Sequence, residues 1–118
     1  MSLFKISEKI VLNKLKKIEF GSLKLINYDG QVFHFGNLEN ELTADIKINN
    51  EKFYFNIIIG GSSALGEAHM SKDFYSTNLT NLIELTARNI KLVHSFSGSL
   101  RIQKIKNFIK KIFASNTK

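Results

Sequence analysis

Three histidines, one Glu-x-His triplet and a Gly/Ser-rich stretch hold the residue types in this sequence that could do chemistry. His34, His69 and His94 do not pair with one another, or with a carboxylate, at metal-ligand spacing on one helix face. His34 falls in an alternating stretch, where a surface or half-buried strand histidine is expected. Glu67 and His69 would make an acid/base pair if an ordered loop held them together. The plainer expectation is a polar loop that hydrogen-bonds its own backbone. No Ser occupies a nucleophile elbow, because Gly61-Ser62-Ser63-Ala64 lacks the second Gly of G-x-S-x-G. The run Gly60 to Gly66 has no Lys-Ser/Thr ending and does not fit G-x-G-x-x-G, so it matches neither nucleotide-loop pattern. It reads as a helix stop followed by a tight connection. The sequence has no Cys, which excludes thiol catalysis, disulfides and Cys-ligated zinc.

The remaining chemistry is electrostatic. The 118 residues carry 17 Lys+Arg against 10 Asp+Glu. Residues 1–20 hold five Lys and two Glu, residues 21–84 four Lys and eight acids, and residues 85–118 eight basic residues and no acid. The positive excess therefore sits at the ends. A nucleic-acid-binding fold more often spreads its basic face, so nucleic acid is not the expected partner. Near the C-terminus Ile102, Ile105, Ile109 and Ile112 form a helical stripe, widened by Phe108 and Phe113. Arg101, Lys104, Lys106, Lys110 and Lys111 surround it. Such a helix suits an anionic phospholipid surface, where each basic side chain contributes about 1 kcal/mol. It equally suits a stripe packed on the core with solvated lysines.

The elements that must position these residues can be read from periodicity. Leu3 to Ile18 has apolar residues three or four apart and predicts a helix. Residues 22–26 and 31–35 alternate around Asp29-Gly30, a hairpin signature. Residues 42–48 alternate again, which suggests a small antiparallel sheet of three strands. Residues 51–59 are apolar enough for a buried strand or a short helix. Asn50 as a cap and Gly60-Gly61 as a stop tip the reading to helix. Residues 62–76 read as loop with one short element around Leu65 to Met70. Asn78 caps a predicted helix from Leu79 to about Val93. Ser95 to Ser99 reads as a hinge and Leu100 to Phe113 as a last helix. No segment has the roughly 20 consecutive apolar residues of a membrane span, and the N-terminus lacks the apolar core of a signal peptide. The default compartment is the cytoplasm.

The middle of the chain carries a more specific signal. Ala44-Asp45-Ile46-Lys47-Ile48 leads to Phe53-Tyr54-Phe55-Asn56-Ile57-Ile58-Ile59-Gly60-Gly61, then to Leu65-Gly66-Glu67-Ala68-His69-Met70, with Asp73-Phe74 before Asn78-Leu79-Thr80. This resembles the N-terminal domain of the cyclopropane-fatty-acyl-phospholipid synthases, with the pattern A-D-I-R-V, F-F-x-x-V-L-x-x-G-S-x-G-L-G-E-A-Y-M-D-G-x-W, D-L-T-x-L. The likeness runs from about Ile18 to the end. His69 stands where the family has Tyr, Ser71-Lys72 replaces Asp-Gly, and Phe74 replaces Trp.

The resemblance implies an α+β, sterol-carrier-like lipid-binding module: an N-terminal helix, a small antiparallel sheet and C-terminal helices. Residues 1–99 would form the lipid-handling domain, and residues 100–118 a basic linker towards a catalytic domain. The family transfers a methylene from S-adenosylmethionine to a double bond in a phospholipid acyl chain. This sequence ends before any S-adenosylmethionine-binding motif, so the chain alone is expected not to catalyse the reaction and to hold no cofactor. Its expected partners are a phospholipid surface at the inner face of the plasma membrane, a methyltransferase domain in cis or trans, and a second copy of the chain. Leu65, Gly66, Glu67, Met70, Phe74 and the stripe Ile102, Ile105, Ile109 and Ile112 are the expected lipid or domain contacts. Arg101, Lys104, Lys106, Lys110 and Lys111 are the expected headgroup ligands. The alternatives are a free-standing lipid carrier and an interaction module for an acidic protein or nucleic acid.

Overall fold

The first helix starts at a side-chain cap. Ser2 Oγ accepts from the Lys5 N–H at 3.2 Å, satisfying one of the amides left free at a helix start. In the computed structural model, residues 2–37 and 42–96 are described. Helix α1 (Leu3–Leu15) buries Ser7 and Val11 and packs Ile10, Leu12 and Leu15 against the core.

The hairpin forms where Asp29-Gly30 predicts it. Strands β1 (Ser22–Ile26) and β2 (Val32–Gly36) pair antiparallel, with Leu25 opposite Phe33 and Leu23 opposite Phe35. In the turn the Asn27 N–H donates to the Gln31 carbonyl at 2.8 Å. Gly30 takes φ +89°, a conformation that costs a residue with a Cβ.

Strands β3 (Thr43–Ile48) and β4 (Phe74–Tyr75) complete a four-stranded sheet in the order β2-β1-β3-β4. The expected antiparallel sheet is corrected here. The β1–β2 and β3–β4 pairs are antiparallel, but β3 runs parallel to β1, so the sheet is mixed. Alternation along residues 42–48 fixes which face is buried. It does not fix strand direction, because Ala44, Ile46 and Ile48 meet the core in either sense.

Helix α2 (Lys52–Gly60) buries Phe53, Tyr54, Ile57 and Ile58. Asn50 Oδ1 accepts from the Lys52 N–H at 3.0 Å, while Glu51 occupies the capping position itself. Gly61, at φ 61° and ψ −141°, turns the chain directly into helix α3 (Ser62–Met70). The short element expected around Leu65 to Met70 is a nine-residue helix, and a strand stands where loop was expected after it. The buried stripe of α3 is only Ala64 and Ala68, too weak an apolar period to be legible.

Asn78 caps helix α4 (Leu79–Arg88) as predicted, its Oδ1 accepting from the Asn81 N–H at 3.0 Å. The helix expected to reach Val93 instead breaks at Asn89, and α5 (Ile90–Ser95) follows. The helices pack on one face of the sheet. Leu23, Leu25, Phe35, Ile46 and Ile48 are buried there, and Lys24, His34, Lys47 and Tyr75 are exposed on the other face. Phe53 sits edge-on to Phe74 at 5.6 Å and to Tyr54 at 5.7 Å. The Lys14 ammonium donates to the Ser95 carbonyl at 3.1 Å, tying the end of α5 to α1.

Candidate functional site

Helix α3 carries most of the residues singled out by sequence, and its geometry sorts them. Leu65, Gly66 and His69 line an open groove of about 420 Å³ between α3 and α4. Phe74, Leu79, Ile83, Ala87 and Ile90 add to its apolar surface, with Thr86 beside them. Phe74 is buried, with its ring 5.7 Å from the His69 ring. Ile83 is 54% exposed, a large apolar side chain left at the groove. Met70, at the end of α3, is 83% exposed.

Glu67 does not join this groove. It lines a separate depression with Asn56, Ile59, Ala64 and Asp73. Residues two apart on a helix face different ways. The helical form of α3 therefore overturns the Glu67–His69 acid/base pair, which needed a loop. Among the described residues no group of three or more His, Cys, Asp or Glu could hold a metal ion.

Beneath the groove lies a second space. A partly open apolar pocket of about 90 Å³ lies between the inner face of the sheet and helices α1 to α5, with Val11, Leu25, Tyr54, Leu85, Val93 and Phe96 among its walls. The side chains of Asn89 and Thr86 that line it are already engaged. Asn89 Oδ1 accepts from the Glu19 and Phe20 N–H groups, and its Nδ2 donates to the Phe20 and Leu85 carbonyls. Thr86 Oγ1 donates to the Leu82 carbonyl. Its lining is almost wholly apolar, which suits apolar groups. Ser62, Leu65 and Thr86 line both the pocket and the groove, so these three side chains form the partition between them.

Sequence reading missed Ile83 and Thr86 as site residues. The available signal was that Ile83 stands one position off the buried stripe of Leu82 and Leu85. It also missed a polar chain behind the sheet. The Lys5 ammonium donates to the Tyr28 hydroxyl at 2.6 Å, Tyr28 donates to Glu8 Oε1 at 2.5 Å, and Asn27 Nδ2 donates to Glu8 Oε2 at 3.2 Å. The Tyr54 hydroxyl then donates to Asn27 Oδ1 at 2.6 Å. Burial, followed by the Glu8 hydrogen bond, pushes the Tyr28 phenol up, and burial pushes the Tyr54 phenol well above the usual tyrosine range. These residues span α1, the hairpin turn and α2, and no local spacing relates the three segments.

No family model, curated protein or solved structure matches this chain. Ile102, Ile105, Ile109 and Ile112, and Arg101, Lys104, Lys106, Lys110 and Lys111, lie outside the described residues. Among the described residues no helix is long and apolar enough to cross a membrane.

Proposed function

We propose that this chain is a non-catalytic lipid-handling module that takes one phospholipid acyl chain into the α3–α4 groove. It would work as the N-terminal part of a cyclopropane-fatty-acyl-phospholipid synthase-like methyltransferase, peripheral to the inner face of the plasma membrane. The observation that carries this reading is the shared wall of two apolar pockets: displacing Leu65 would join the α3–α4 groove to the apolar pocket beneath it.

The backbone also supports the resemblance. The family pattern has Gly at the position of Lys72, and Lys72 holds φ 61°, the left-handed conformation that glycine adopts freely. Presentation fits better than enclosure by a free-standing carrier. The interior offers about 90 Å³, against roughly 300–1,000 Å³ for sites that enclose a ligand. Lys104, Lys106, Lys110 and Lys111 would meet headgroups, and S-adenosylmethionine chemistry would belong to the partner methyltransferase domain.

The test is binding of a fluorescent polyene fatty acid and of phosphatidylglycerol vesicles. The fatty acid should gain emission on binding, and Ile83→Asp should weaken it about tenfold by setting a charge against the acyl chain. Reversing Lys110 and Lys111 to Glu should reduce vesicle binding at low salt. A wild-type chain that binds neither probe sinks the lipid reading.

A further inference from the structure

Among the described residues, His69 is the one ionisable side chain that lines the α3–α4 groove. Ser62, Leu65, Gly66 and His69 stand three or four apart on α3, so they share one face of the helix. That face has two unlike ends. Ser62 and Leu65, with Thr86 of α4, adjoin the apolar pocket beneath the groove. His69 lines the groove but not the pocket, and it lies about two turns from Ser62, roughly 10 Å along the helix.

The His69 ring is placed but not engaged. It lies 5.7 Å from the buried Phe74 ring, tilted by 50°. Among the described residues no hydrogen bond reaches its nitrogens. The carboxylates nearest to it in sequence, Glu67 and Asp73, line the separate depression. Glu84, next to Ile83, is taken by Arg88 at 2.8 Å. No acid lines the groove, so nothing in its walls repels an anion.

We propose, on the lipid reading of the groove, that His69 receives the anionic end of a single acyl chain and so sets the direction in which the chain lies. The chain would run from His69 along α3 to Leu65, with its methyl end towards the pocket. An imidazole N–H donates to an anionic oxygen whether the ring is neutral or charged. The ligand class is one acyl chain headed by a carboxylate or a phosphate, chemistry that a fatty acid and a lysophospholipid share. The mouth of the groove suits entry from an anionic lipid surface. Met70, next to His69, is 83% exposed, and Lys72 is exposed at the end of the same helix, so apolar and cationic groups stand together there.

Titration of the full chain with a fluorescent polyene fatty acid, its methyl ester and the lysophosphatidic acid of the same chain tests this. The fatty acid should bind about fivefold more tightly than the ester, because a hydrogen bond to a charged acceptor is the stronger. His69→Ala should lower the acid to the level of the ester, and His69→Lys, which keeps a donor, should restore the difference. His69 is exposed, so both variants should keep the fold. A lysophosphatidic acid with the same His69 dependence adds phosphate to the accepted heads, and one that binds like the ester narrows the head to a carboxylate. Nuclear Overhauser contacts should join the methylene beside the carboxylate to the His69 ring, and the methyl end to Leu65. Equal binding of acid and ester, or a preference that survives His69→Ala, overturns the inference and leaves the groove reading standing. Contacts in the reverse order, with the carboxylate at Ser62, do the same. A chain that binds none of the three probes overturns both.

Discussion

Asn89 holds Phe20 by both backbone groups: its Oδ1 accepts from the Phe20 N–H at 3.3 Å and its Nδ2 donates to the Phe20 carbonyl at 2.8 Å. One buried side chain thus ends α4 and fixes the segment that leads into β1. Asn89→Ala strands several backbone groups, some of which water can reach. The expected loss is about 2 kcal/mol, read as a lower urea midpoint.

Lys72 closes the end of α3 in the left-handed region. Its N–H donates to the His69 carbonyl and the Asp73 N–H donates to the Ala68 carbonyl. A Cβ in that conformation costs about 1 kcal/mol. Lys72→Gly should therefore raise stability by about that much, and Lys72→Val should lower it. Thermal unfolding of the three proteins checks the order.

The glycines of α2 and α3 make a matched pair. A Cβ at Gly66 would meet nothing within 4 Å, while one at Gly60 would lie 2.7 Å from the Ala64 Cβ. Gly66→Ala should stabilise α3 by about 0.5–1 kcal/mol, through helix propensity alone. Gly60→Ala should lose that gain to the clash. Equal thermal shifts for the two variants would contradict the packing of α2 against α3.

Alkaline pH should weaken the polar chain behind the sheet. The phenols of Tyr28 and Tyr54 are raised, so the native state holds their protons more tightly than the unfolded chain does. Their contribution is complete below the usual tyrosine value of about 10 and is lost as the pH rises above it. Lys5, raised chiefly by its hydrogen bond to Tyr28, titrates in the same direction. Tyr54→Phe should cost about 1 kcal/mol at neutral pH, because Asn27 Oδ1 loses its donor. It should also flatten, without abolishing, the alkaline fall in urea midpoint.

Much of the fold was legible where one residue type carries one physical demand. Asp29-Gly30 gave the hairpin, Asn78 the start of α4, and the apolar run before Gly60-Gly61 the helix α2. The direction of β3 was not legible, because alternation is the same read either way. The helical type and the start of α3 were hidden by small residues, whose burial leaves little apolar period. For the site, Leu65, Gly66 and Phe74 line one groove, while Met70 is not among its lining and Glu67 faces elsewhere because the segment is helical. The chain from Lys5 to Tyr54 was out of reach, since its contacts join residues about twenty or more positions apart.

The bond from Lys14 to Ser95 bears on how load enters this protein. Phe96 is buried directly after it, at the seam between α1 and α5. Tension on the chain there pulls on α1 as well as on α5. The domain should therefore yield to an optical trap in one rip, with no early release of α1 or α5.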